Sequence, residues 1–297
     1  MNDVTLVTIT CSRDRAIQKL QSYTIDKFIN EPCNHIVIIE DDQVSFNEWY
    51  AELSPYYTKH KLILLNTLLD KNSYRNDTKK KNGWHRSALL KLMVANQVHT
   101  DRYLLLDSKN FFIKPVNLDE WPCVEGNYLV EPLQIDGRLA NGRVWPNLFE
   151  FGKQHNIQIP KNTYSTTTPF IVNTNIVKNL IDLDVKSLFL NNLGWSSELF
   201  LYSVYTQHLG NELKNGPTVN VTFWNDERTA DLETLTDIFS WPNIKSFGVH
   251  RDFMRLNLDL TEMYNFLESI DFDKQLVETC FGQHQKDLNV KRSRECH

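Results

Sequence analysis

Asp101-Arg102-Tyr103-Leu104-Leu105-Leu106-Asp107-Ser108-Lys109-Asn110-Phe111-Phe112, followed by Lys114-Pro115, is the stretch on which the fold is decided. Residues 103–106 (YLLL) are apolar without a break, and the run stops abruptly at Asp107. A short continuous apolar run bounded by polar residues reads as a strand buried on both faces. Similar runs precede it at residues 4–10 (VTLVTIT), 35–40 (HIVIIE) and 61–66 (KLILLN). Helical patterns lie between them, over residues 13–28 and over residues 83–96 (GWHRSALLKLMVAN). The second of these is apolar almost all round from Ala88 onward, so it is expected to be buried. Buried strands alternating with helices predict an α/β fold, a mixed and mostly parallel sheet with helices on both faces.

The second half of the chain mixes elements. Residues 147–155 and 175–183 carry a helical pattern, and residues 169–173 (PFIVN) read as a short strand. Residues 195–208 (WSSELFLYSVYTQH) predict a strong helix with aromatic stripes. Residues 219–224 and 246–249 read as strands, and residues 260–281 supply one or two closing helices. Residues 68–82 are polar and follow neither period, and a loop of that length in a compact domain is usually functional or mobile. There is no internal repeat, low-complexity tract or linker, so the expectation is a single domain.

Bulk properties narrow the class. A chain of 297 residues, 41% hydrophobic and 23% charged, is long and apolar enough to bury a sizeable core. With Lys+Arg at 32 and Asp+Glu at 37 the formal charge is −5, which gives no global attraction to nucleic acid or anionic lipid. Cys11, Cys33, Cys123, Cys280 and Cys296 are scattered, odd in number and outside any metal spacing, as expected of reduced thiols. The first residues lack a signal-peptide pattern and no apolar run approaches bilayer length, so a cytoplasmic protein without a transmembrane segment is expected. On that expectation the sequons at Asn76 and Asn220 go unused.

In open α/β sheets, ligands sit beyond the carboxyl ends of the strands. Three polar clusters follow strands here: Cys11-Ser12-Arg13-Asp14, Glu40-Asp41-Asp42 and Asp107-Ser108-Lys109-Asn110. A dinucleotide site would need a glycine-rich turn after the first strand, and residues 10–14 (TCSRD) contain no glycine. The dehydrogenase and P-loop readings fall for that reason.

The segment around Asp107 resembles the metal-binding segment of GT-A glycosyltransferases, in which an apolar strand delivers an Asp-x-Asp group to the diphosphate of a nucleotide-sugar. The chain keeps Asp107 but has Lys109 in place of the second acid. Either Lys109 supplies the positive charge against the diphosphate, or Asp107, Asn110 and a distant ligand hold a divalent ion, Mn²⁺ or Mg²⁺. His250, in residues 246–251 (SFGVHR), resembles the C-terminal histidine that many members of the family bring back to the metal. Residues 83–92, with Trp84, Arg86 and Lys91, resemble a helix in a group of small bacterial and phage-borne GT-A-like proteins. Lys91 there either meets a carboxylate or phosphate or snorkels to the surface. Residues 195–202 resemble the acceptor-side motif, so Glu198 acts on or holds the acceptor, or else stabilises a helix N-terminus. Residues 167–170 (TTPF) resemble the acceptor side of the same group.

The resemblance spans roughly residues 4–255 and implies a transferase moving a hexose from a UDP- or GDP-linked donor to a carbohydrate or other hydroxyl acceptor. It implies a nucleotide-binding half over about 1–115, an acceptor-side half over about 116–255 and C-terminal helices over about 256–297. The donor site implied by it comprises Thr10, Ser12, Arg13, Asp14, Asp41, Asp42, Arg86, Lys91, Asp107, Ser108, Lys109 and Arg251. Catalytic roles are implied for Glu198 and Lys109, and a metal set of Asp107, Asn110 and His250. A nucleotide-sugar-binding protein without turnover is the alternative that Lys109 raises. A nucleotidyltransferase ranks last, because its glycine-rich basic loop is missing. Weaker signals are the Lys79-Lys80-Lys81 run, the basic and aromatic residues 138–145 (RLANGRVW), and Trp145, Trp195 and Trp224 as sugar-stacking residues.

Overall fold

Val4–Thr10 is buried at every position and forms the middle strand of a five-stranded sheet. The computed structural model describes residues 4–40, 45–66, 68–69, 82–121, 124–125, 129–130, 144–160, 163–164, 168–190, 197–211, 213, 215–223, 232–250, 253–254 and 259–295. In chain order the strands are β1 (Val4–Thr10), β2 (Asn34–Ile39), β3 (Lys61–Asn66), β4 (Arg102–Asp107), β5 (Asn110–Phe112), β6 (Val124–Glu125), β7 (Leu129–Val130), β8 (Thr163–Tyr164), β9 (Phe170–Asn173), β10 (Asn215–Gly216), β11 (Asn220–Phe223) and β12 (Ser246–Val249). The helices are α1 (Arg15–Phe28), α2 (Phe46–Leu53), α3 (Asn82–Met93), α4 (Val144–His155), α5 (Thr174–Ile181), α6 (Val185–Leu190), α7 (Glu198–His208), α8 (Leu232–Ser240), α9 (Thr261–Ser269) and α10 (Lys274–Glu295).

The main sheet has the order β3-β2-β1-β4-β9. The first four strands are parallel and β9 runs antiparallel to β4, so the sheet is mixed and mostly parallel. Alternate side chains of the central strands enter two cores, because successive residues of a strand point to opposite faces. Leu6, Leu104 and Leu106 pack with α1 residues such as Ile17 and Leu20 and with Phe281 of α10. Val7, Ile9 and Leu105 pack with α3 residues such as Leu89 and Leu92 and with Leu199 of α7. Residues from Val4 to Leu288 share the first core, so the two ends of the chain belong to one body. No helix among the described residues is long and apolar enough to cross a membrane. Cys11, Cys33 and Cys280 are unbridged, and Cys123 and Cys296 lie outside the described residues.

The strands expected at residues 4–10, 61–66 and 246–249 appear with those bounds, and the others differ by a residue or two. Helix α1 is preceded by a 3-10 turn at Ser12–Asp14, which puts Asp14 at the helix N-cap position. The helix expected over residues 83–96 is α up to Met93 and continues as a 3-10 segment over Val94–Gln97. Sequence reading passed over α2, whose N-cap Ser45 accepts from the backbone N–H of Glu48, a capping-box spacing. The residue pattern reaches only to 281, whereas α10 continues to Glu295, within the 256–297 helical region that the resemblance implies. The apolar stripe of α10 is narrow, Val277, Cys280, Phe281 and Leu288 in a polar context, so periodicity signals it weakly. Most of the polar stretch 68–82 lies outside the described residues.

A second sheet makes the local geometry of the strand end. The chain leaves the main sheet at Asp107, turns through Ser108 and Lys109, and enters a three-stranded sheet of order β11-β12-β5 at Asn110. There Phe111 pairs with Phe247 in register, with the rings 5.1 Å apart. The turn is therefore pinned by a sheet on each side.

Candidate functional site

Strand order reverses at β1, because β2 lies on one side of it and β4 on the other. The carboxyl ends of β1 and β4 therefore flank the switch point, where α/β sheets place ligands. Asp107 ends β4 opposite Ile9 of β1, and Asp14 follows β1 in the 3-10 turn. The two acids anchor two adjoining polar clusters.

The first cluster is built on Asp107. Its Oδ1 lies 2.9 Å from Lys91 Nζ, and its Oδ2 accepts a 2.7 Å hydrogen bond from Thr168 Oγ1. Lys91 also lies 3.0 Å from Glu198 Oε1, so one ammonium joins two carboxylates. Lys91 and Glu198 keep only 9% and 6% of their side-chain surface, whereas Asp107 keeps 53%. The ammonium is thus a buried support under a carboxylate that faces outward. Burial opposes the charge on Lys91, but the two carboxylates outweigh it and raise its pKa above the ordinary lysine value. Packing against Lys91 and Thr168 strips part of the Asp107 carboxylate of water, which opposes its ionisation, but the Lys91 charge and the Thr168 hydroxyl outweigh this and hold its pKa below the ordinary carboxylate value. Glu198 opens α7 behind its N-cap Ser197, where the helix dipole also favours a negative charge. The helix-start reading of Glu198 is thus seen in the fold, and the same residue meets Lys91.

The second cluster is built on Asp14. Its Oδ2 accepts from Ser108 Oγ at 2.7 Å and from Lys109 Nζ at 2.8 Å. Its Oδ1 lies 3.8 Å from Nδ1 of His284, a fully buried residue of α10 that also contacts the Arg13 carbonyl at 3.1 Å. Burial would raise the Asp14 pKa, but Lys109 and His284 prevail and hold it at about 2. Burial and the Lys109 charge lower the His284 pKa. Lys109 thus reaches back to the β1 end of the switch point, and its charge is balanced there.

Asn110 lies beside Asp107, and its amide oxygen accepts the Asp107 backbone N–H at 2.7 Å. Its amide nitrogen faces the Thr168 carbonyl at 3.4 Å, so the side chain closes the turn from within. Gly248 of β12 lies opposite Asn110, and His250 follows β12 with its N–H donating to the Phe223 carbonyl. Arg86, one and a half turns before Lys91 on α3, donates to the Glu40 carbonyl at 3.4 Å beyond the end of β2. Thr10 is buried at the end of β1, and Ser12 is exposed in the 3-10 turn. Asp41, Asp42, Arg251, Lys79-Lys80-Lys81, residues 138–143, Trp195, Trp224 and the side chains of Trp84 and Trp145 lie outside the described residues. Among the described residues no group of three or more His, Cys, Asp or Glu could hold a metal ion.

Two residues that sequence reading passed over reach these clusters. His284 comes from the far end of the chain, and only its place on the stripe of Val277, Cys280, Phe281 and Leu288 marks it. Gln21 donates to the carbonyls of Asp107 and Asn110 from the buried face of α1. It interrupts the stripe Ile17, Gln21, Thr24, Phe28, and a fully buried glutamine on such a stripe signals a polar partner inside.

The family model described as "Family of unknown function (DUF6492)" matches residues 8–236, which include both strand ends of the switch point and Glu198. No curated protein matches the chain.

Proposed function

The chain belongs to this family of unknown function, and on that premise we propose that it is a GT-A-type glycosyltransferase, moving a hexose from a UDP- or GDP-sugar to a hydroxyl acceptor. The observation that carries the reading is the Lys91 bridge between Asp107 and Glu198. It brings the strand-end acid and the acceptor-side acid of the resemblance to one cation at the switch point of the sheet.

In this reading Asp107 stays ionised, and the exposed side of its carboxylate accepts hydrogen bonds from donor hydroxyls on the lone pairs that Lys91 and Thr168 leave open. Ser108, Lys109, Ser12, Arg13 and Arg86 surround the nucleotide and its diphosphate, with Asp14 setting the position of Lys109. Glu198 takes the acceptor side from the first turn of α7. The described residues do not fit a bound Mn²⁺ or Mg²⁺: both Asp107 oxygens face Lys91 and Thr168, and the Asn110 oxygen faces the turn. The reading therefore takes its positive charge from lysine and arginine, preorganised against the charge that develops as the nucleotide leaves.

A panel of UDP- and GDP-sugars, with Mn²⁺ and with EDTA, tests it by thermal shift, because a ligand that binds only the folded state raises its stability. At least one donor should raise the melting temperature in EDTA, and Asp107→Ala should abolish the shift. No shift with any sugar nucleotide would overturn the reading. A shift without donor hydrolysis would favour binding without turnover, the reading that Lys109 in place of a second acid raises.

A further inference from the structure

We propose that Gln21 is the positioning residue of the candidate site, its side-chain amide holding the turn that carries Asp107 and being oriented by a buried hydrogen-bond chain from Tyr57. The proposal deepens the reading above and rests on Asp107 as the centre of that site.

Gln21 Nε2 donates to the Asp107 carbonyl at 2.6 Å and to the Asn110 carbonyl at 3.0 Å. Those residues are where the chain leaves one sheet and enters the other. One amide therefore ties the two ends of the turn from the α1 side, while Asn110 closes it from within. From that backbone position the Asp107 carboxylate meets Lys91 and Thr168.

The orientation of the amide is forced. Turned over, it would set its oxygen against two carbonyl oxygens. Its Oε1 accepts instead from Gln18 Nε2 and Thr8 Oγ1, each at 2.8 Å. The single Thr8 proton goes to Gln21, so Thr8 must accept from His35 Nε2, 2.9 Å away. His35 is thereby the Nε2–H tautomer, and its Nδ1 accepts from the Tyr57 hydroxyl at 2.6 Å. Every link points the same way, from Tyr57 through His35 and Thr8 to Gln21 and the turn. Thr8, Gln21 and His35 are fully buried, so no water competes for these bonds. Burial holds the His35 pKa at about 3, which keeps the ring neutral and the direction fixed at neutral pH.

NMR on the full chain tests this without any ligand. In the wild type, the ¹⁵N shifts of His35 should show the Nε2–H tautomer, and the Gln21 side-chain amide protons should exchange slowly with solvent. Gln21→Met keeps the side-chain length and removes both donors. In that variant the Asp107 carboxyl-carbon signal at neutral pH should move, as its pairing with Lys91 loosens. Should Gln21→Met not fold, Thr8→Val removes the orienting bond at constant shape and carries the same expectation. An unmoved Asp107 carboxyl-carbon signal in a folded variant would overturn the proposal, as would an Nδ1–H tautomer in the wild type. If these results hold but no sugar nucleotide binds the wild type, the glycosyltransferase reading falls and Gln21 still positions the turn.

Discussion

Lys91 shows how much of a residue's role lies in its partners. Its spacing on a buried helix permits either an internal anion or a route to the surface, and the sequence does not choose between them. In the fold its ammonium meets Asp107 at 2.9 Å and Glu198 at 3.0 Å. Burying a charge is costly unless it is paired, and removing one partner of a buried pair leaves the others uncompensated. Lys91→Met should therefore destabilise the fold by about 3 kcal/mol, the low end of the range for buried pairs because Asp107 keeps contact with water. Urea denaturation measures this, and an unchanged midpoint would mean that water already relieves both acids.

At the level of elements, the decisive contact is between the β4–β5 turn and β12. Gly248 stands opposite Asn110, and a Cβ built there would lie 2.8 Å from Asn110 Nδ2 and 3.1 Å from Thr222 Oγ1. Asn110 has little room to yield, since its amide oxygen holds the Asp107 N–H. Gly248→Ala should cost about 1–3 kcal/mol through overpacking. Gly282→Ala is the control: it lies within α10 and a Cβ there meets nothing within 4 Å. That change should stabilise by about 0.5–1 kcal/mol by restricting the unfolded chain and favouring helix. Thermal denaturation of the two variants should shift in opposite directions, and equal shifts would remove the special role of the β12 contact.

Over the whole molecule, the buried titratable groups set the response to acid. Asp14 has a folded pKa of about 2 against an ordinary 3.8, so the stability it contributes is present above 3.8 and lost as pH falls toward 2. His35 has a folded pKa of about 3 against an ordinary 6.5, because burial favours the neutral ring. Its contribution is complete above 6.5 and is lost as pH falls from there toward 3, while protons bind the unfolded chain. His60 and His284 shift in the same direction. Unfolding free energy should thus begin to fall near pH 6.5, with a second loss below 4. His35→Gln should make the upper limb shallower and Asp14→Asn the lower one. Equilibrium unfolding from pH 7 to pH 2 reads both, and a flat profile between pH 6.5 and 4 would contradict the buried histidines.

Val4–Thr10, residues 35–39, Lys61–Asn66 and residues 103–106 were legible as strands from sequence because a strand buried on both faces writes a continuous apolar run into its own residues. The polar residues after β1 and β4 were legible as candidate site residues for the same reason: they stand where such a run ends. The helical stripe of α10 was only partly legible, since few of its positions face the core. What tertiary structure alone decided is which strands are neighbours and which charges meet. The order β3-β2-β1-β4-β9 places the ends of β1 and β4 side by side across about a hundred residues of chain. Lys91, Asp107 and Glu198 then share one ammonium, and Asp14, Lys109 and His284 gather at the neighbouring end. Apolar burial is encoded locally, residue by residue, whereas an ion pair exists only once packing has brought its two halves together and removed the water between them.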